Sequence, residues 1–144
     1  MPLTVPLSED TPCPCGFVLW QPIARSEYSC LGLYDDARFP GRSILRLNEH
    51  QDSFERMPPD ILMGFMKDIQ AAMTAIQITT GAARVNVAIL GNRDSHVHAH
   101  LVPRFPEEEE FPDCSPWNDL RPKTSLIEMT KTKIKVSIFE ALKA

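Results

Sequence analysis

The residue pattern specifies a single α+β domain, and three observations carry that reading. Leu62, Phe65, Met66, Ile69, Ala72, Met73 and Ile76 recur at steps of three and four, which is one apolar stripe along a helix. Several short runs of β-type residues lie on either side of that helix, bounded by turn residues. The chain also holds 13 prolines in 144 residues, so rigid turns are many and long elements few. A length of 144 gives one domain, long enough to bury a core without disulfide staples.

Taken in order, residues 1–16 read as an irregular proline-rich lead. Phe17 to Trp20 and Tyr28 to Tyr34 suit short strands. Asp35 to Arg42 (DDARFPGR) is a turn built on paired aspartates and Pro-Gly, and Ser43 to Asn48 is a further strand. Pro58-Pro59-Asp60 starts the long helix, with proline near the first turn and an acid at its positive end; Gly81 stops it. The stripe is expected to pack on a sheet. Arg84 to Leu90 and His96 to Pro103 are two strands joined by the turn Gly91-Asn92-Arg93-Asp94, and so a hairpin. Glu107 to Glu110 reads as a solvated acidic run. The tail from Lys123 has two readings: Lys133 to Phe139 alternates like a strand, while Leu126 to Leu142 also suits a helix. The resulting division is a lead (1–16), a central domain (17–106) and an acidic linker with a C-terminal extension (107–144).

The formal net charge is −4, which argues against a general nucleic-acid or anionic-membrane binder, because both need a positive patch. The opening residues carry no secretory pattern, and no apolar run approaches membrane-span length. The four cysteines (Cys13, Cys15, Cys30, Cys114) are accordingly expected to be reduced, in a cytoplasm.

Chemistry concentrates in His96-Val97-His98-Ala99-His100. On a strand the three imidazoles share one face, and Val97, Ala99 and Leu101 point into the core. Neighbouring histidines are then about 6.6 Å apart along the backbone and the outer pair about 13 Å, so one metal cannot take all three. Such a row suits a nucleophile beside a neighbour that fixes its tautomer or moves a proton.

His96-Val-His98-Ala-His100-Leu-Val102 resembles the signature of the histidine triad family, and Leu31 to His50 is similar to that family's strand–turn–strand. The resemblance covers roughly residues 17–104, with a weaker echo near Pro116-Trp117. It implies a five-stranded antiparallel sheet with one long and one short helix, usually paired into a homodimer with a continuous sheet. It also implies hydrolysis or nucleotidyl transfer at the α-phosphorus of a nucleoside phosphoramidate, a dinucleotide or an adenylylated substrate, with no cofactor and no metal in the chemistry. By position, His98 would be the nucleophile, His100 would hydrogen-bond within the row to orient it, and His96 would contact the phosphate or leaving group. Asp35 would bind ribose hydroxyls, Asn92 or Ser95 would donate to the phosphoryl group, and Leu33, with Leu31, would line the base pocket.

The chain departs from the family pattern at three places, one of them the loop before the triad, which is shorter than in other branches and argues against long dinucleoside polyphosphates. Many members carry a fourth histidine where this chain has Arg42, which keeps phosphate contact and loses proton relay. Several members hold a structural zinc with a Cys-x-x-Cys, a histidine at the place of His50 and the first triad histidine. Cys13-Pro14-Cys15 is one residue shorter, so the expectation is no metal, an unstructured lead and a structural His50. Two alternatives stay open: a non-catalytic nucleotide-binding module, and a zinc-binding interaction module using Cys13, Cys15, His50 and His96.

Overall fold

The computed structural model describes residues 2–144. Six strands form one antiparallel sheet: β1 (Val5–Pro6), β2 (Pro22–Arg25), β3 (Ser29–Leu33), β4 (Ser43–Leu47), β5 (Arg84–Ala88) and β6 (His98–Arg104). Their order across the sheet is β1-β2-β3-β4-β6-β5. Two helices, α1 (Pro59–Thr80) and α2 (Glu128–Lys143), complete the α+β architecture, and single 3₁₀ turns occur at Phe54–Arg56 and Pro116–Asn118.

The core forms where the helix stripe meets the sheet. Phe65, Ile69, Ala72 and Ile76 of α1 are buried with Leu31, Leu45, Ala99 and Leu101 from the three central strands. Pro59 opens α1, where its missing N–H costs nothing. Gly81 closes it in the left-handed conformation at φ 69°, its N–H donating to the carbonyl of Gln77. Gly64 lets α1 approach Tyr28 closely: a Cβ there would run into that ring. No helix among the described residues is long and apolar enough to cross a membrane.

Three local expectations are corrected, and the two readings of the tail are decided. The sheet has six strands rather than five, because Val5–Pro6 of the lead pairs with β2. Phe17 to Trp20 is not a strand. The Leu19 N–H donates to the side chain of Asp10, and pairing with β3 begins only where Gln21 accepts from the Leu33 N–H. The C-terminal stretch is the helix α2, with Ile138 fully buried against α1 and Ile134 and Leu142 partly buried one turn to either side. The alternating reading would have buried Val136 beside them, and Val136 is 56% exposed. Within the acidic run, Glu109 turns inward and binds Arg104 at 2.6 and 2.9 Å, while its neighbours stay in solvent.

Candidate active site

The histidine row lies where β6 passes β4. His98 is registered opposite Arg46 and His100 opposite Ile44, while Val97, Ala99 and Leu101 enter the core. His96 stands just before the strand, where the Val97 N–H donates to the Gln51 carbonyl. On the imidazole side of the sheet is a cleft of about 810 Å³, bounded by residues 16–21, the Leu33–Asp35 turn, Arg42, the 90–94 loop, His98, His100, Trp117 and Lys123.

The hydrogen bonds of His98 define its chemistry. Its Nδ1 is 2.8 Å from the His96 carbonyl, which can only accept. Nδ1 therefore carries a proton, and in the neutral form of the ring the lone pair is on Nε2. His100 stands 5.0 Å from His98 in an edge-to-face contact, and its Nδ1 is buried with no partner. Burial, then the charges of His98 and Arg42, push the His100 pKa down to about 4, so the ring is neutral at pH 7. The expected hydrogen bond from His100 to His98 is replaced by that carbonyl.

Arg42 is buried at the cleft wall, where one guanidinium nitrogen binds Asp36 at 2.9 Å and the group lies 4.0 Å above the Tyr34 ring. Its Nε is buried with no partner, and its positive charge acts on His100. Leu33 and Asn92 also line the cleft, while Leu31 is pure core. Asp35 lines it too, but its carboxylate is engaged: one oxygen accepts from the Leu126 N–H at 2.8 Å and the other pairs with Lys131 at 3.0 Å. Ser95 does not line the cleft; its hydroxyl donates to Asp52 at 3.0 Å.

His96 is not placed for phosphate contact. It is 1% exposed and absent from the cleft wall, and its Nε2 donates to the Leu47 carbonyl at 2.8 Å. In that tautomer the Nδ1 lone pair points at His50 Nδ1, 3.2 Å away. His50 Nε2 in turn faces Asp52 at 2.7 Å, a partner that raises the basicity of the ring. Cys13 Sγ lies 3.4 Å from His50 Nδ1 and Cys15 Sγ 3.5 Å from His96 Nδ1; the four ligand atoms all fall within 4.8 Å.

A tetrahedral zinc with ordinary bond lengths needs ligand atoms roughly 3.3–3.8 Å apart, close to these separations. Two ring nitrogens that face each other, each with its far N–H held by a carbonyl or carboxylate, are also the usual second shell of a metal-binding histidine pair. The donor set therefore fits zinc, and the lead is not the unstructured segment expected from sequence. The two-residue spacing suffices because the lead folds into a tight turn, with the Gly16 N–H donating to the Cys13 carbonyl.

The sequence does not point to Phe17 or Arg46, and points to Trp117 only through the family resemblance. Phe17 packs on His98 at 4.8 Å and on His96 at 5.6 Å. Arg46 clasps Asp10 through two nitrogens at 2.6 and 2.9 Å. Trp117 meets His100 edge-on at 5.3 Å within the same chain. Nothing in a single sequence pairs Asp10 with Arg46 or Trp117 with His100, which lie 36 and 17 positions apart; only the fold brings them together.

Fold and site together define a protein of the histidine-triad class. The HIT domain model matches residues 21–107, more than half of the chain. This chain belongs to the histidine triad family. It is similar to a histidine triad protein from Sinorhizobium meliloti 1021, at 20% identity and a TM-score of 0.75 over 83% of this chain and 87% of that one. A zinc-bound histidine triad family protein from Mycobacterium smegmatis aligns at 17% identity and 0.59 over 83% and 84%. The diadenosine triphosphate hydrolase of Plasmodium falciparum aligns at 15% and 0.52 over 81% and 73%. At these identities the likeness concerns the fold. No curated protein matches the sequence at a significant level.

Proposed function

We propose that this protein is a nucleotide hydrolase or nucleotidyl transferase that works through a covalent nucleotidyl-His98 intermediate. The observation that carries this reading is the His98 tautomer: its Nδ1 proton is fixed on the His96 carbonyl, and its Nε2 lone pair is left for the cleft. Nε2 attacks the α-phosphorus of a purine nucleotide conjugate and the bond to the leaving group breaks, with the electron pair going to that group. Water then attacks phosphorus, the P–N bond breaks, its pair returns to Nε2, and one proton passes to solvent. Arg42 supplies positive charge to the phosphoryl oxygens, and Leu33, Tyr34 and Trp117 give the nucleoside an apolar and aromatic wall.

Cys13, Cys15, His50 and His96 would hold a structural zinc, which supplies binding energy that ties the lead to the sheet. All four cysteines are free, in keeping with a cytoplasmic setting. Strand β5 is an open sheet edge, with Val87 45% exposed, and supports pairing of two copies into a homodimer.

The test is a panel of nucleoside conjugates (phosphoramidate, dinucleoside polyphosphate and acyl adenylate) with mass-spectrometric trapping of the adduct. Release of the mononucleotide with a labelled peptide containing His98, both lost in His98→Ala, is the expected result. Turnover that survives His98→Ala overturns the assignment. Metal analysis of purified protein tests the zinc site: about one equivalent is expected, and it is lost in Cys15→Ser.

A further inference from the structure

Residues 16–21 form one continuous wall of the cleft, and none of them belongs to a strand. A chain segment without ladder bonds needs other anchors to hold a shape. This one has three. The Asp10 carboxylate binds Arg46 and accepts from the Leu19 N–H at 2.7 Å. The Gln21 carbonyl accepts from the Leu33 N–H at 2.8 Å. Between Asp10 and Leu19 sits the turn from Cys13 to Phe17, closed by the Cys13 N–H on the Phe17 carbonyl at 3.1 Å, a carbonyl that Arg46 also reaches at 3.5 Å. Phe17 begins two residues after the second cysteine and rests on both His96, one of the four clustered donors, and His98, the residue assigned to attack phosphorus. The guanidinium of Arg46 lies 5.9 Å from the same ring and faces His98 across the strands.

We propose that Phe17 is a positioning residue that couples the Cys13–Cys15–His50–His96 site to the cleft, so that a metal held there sets the wall against which the nucleotide packs. The coupling acts on affinity. The His98 ring is oriented independently by the His96 carbonyl, whereas the wall depends on the turn. With the cluster filled, the two cysteines fix the turn and Phe17 closes on the row. With it empty, the turn keeps its own hydrogen bonds and the contact of Arg46 with the Phe17 carbonyl, but loses the brace of the two cysteines, and the Phe17 end of the wall loses its definition.

This proposal rests on reading the cleft as a nucleotide site, and the experiment separates the two. Adenosine monophosphate is titrated calorimetrically into the full-length protein, zinc-loaded and chelator-stripped, as wild type, Phe17→Leu and Phe17→Ala, with circular dichroism confirming that each sample is folded. Stripping is expected to weaken binding by about tenfold in wild type, the size of one aromatic contact. Phe17→Ala should be as weak with zinc as without, and Phe17→Leu should recover part of the difference. In turnover, stripping should raise KM more than it lowers kcat. Equal affinity with and without zinc overturns the coupling, as does a zinc effect that persists undiminished in Phe17→Ala, or a protein that takes up no zinc. Failure of the zinc-loaded wild type to bind the nucleotide at all refutes the cleft assignment instead.

Discussion

The carbonyl of His96 accepts the Nδ1–H of His98 at 2.8 Å, so the first imidazole residue of the row fixes the tautomer of the second through its backbone. The side chain of His96 is thereby free to face the cysteines. One residue thus serves two sites, with its main chain on one and its ring on the other.

Replacing His98 by alanine removes the only imidazole whose lone pair is set toward the cleft by this bond. We expect turnover of any nucleoside conjugate to fall by about a thousandfold or more, with nucleotide affinity changing little. Steady-state kinetics paired with equilibrium binding check this, and a proportional loss of binding would contradict it.

Arg42→Gln tests the cationic donor. The substitution keeps Asp36 paired, because Arg38 also binds it at 2.9 Å. A hydrogen bond to a charged phosphoryl oxygen contributes about 1.5–3 kcal/mol, so kcat/KM should drop about ten- to a hundredfold without loss of fold. Unchanged kcat/KM would remove Arg42 from the site.

The His100 ring gives a pH signature. Its pKa falls from the ordinary 6.5 to about 4 in the folded chain, so between those values the unfolded state binds more protons. Stability therefore rises with pH through that window and is lost as pH falls from 6.5 toward 4. Asp36 acts lower still. Burial opposes its ionisation, but hydrogen bonds and charge from Arg38 and Arg42 outweigh burial and hold its pKa below the usual carboxylate range. Its stabilising share is present above the unfolded carboxylate pKa and disappears only as pH drops through the folded one. Urea melts from pH 7 to 4 should show the decline, and His100→Gln should flatten it.

Gly64→Ala probes the closeness of α1 to the sheet. The added methyl meets the body of the Tyr28 ring rather than its tip, so ring or helix must move. We expect a loss of about 1–3 kcal/mol in chemical denaturation, with no change in zinc content.

Much of this was readable before any coordinates. The period-two pattern around His98 and the three-and-four pattern from Leu62 to Ile76 are local signals, and both gave the right element. Arg42 was singled out for its permanent charge, and the fold does bring it to the cleft wall. What escaped was long-range. Asp35 looked free for a ligand, yet Leu126 and Lys131, about ninety residues on, occupy its carboxylate. Cys13 and Cys15 looked too close for a metal pair, because the turn that reorients them is set by hydrogen bonds no spacing rule records. The stretch from Phe17 to Trp20 has strand composition, but its backbone is claimed by the side chain of Asp10.

The turn after β3 is bolted to the far end of the chain. The Ala37 N–H donates to the Thr124 carbonyl, and the side chains of Arg38 and Arg121 each reach the other's carbonyl. The segment that the HIT domain model matches, residues 21–107, lies between the lead that builds most of one cleft wall and the tail that clasps this turn. Divergence can then retune such a protein from its two ends while the sheet stays untouched, and a chimera that exchanges only those ends should carry its donor's ligand preference with it.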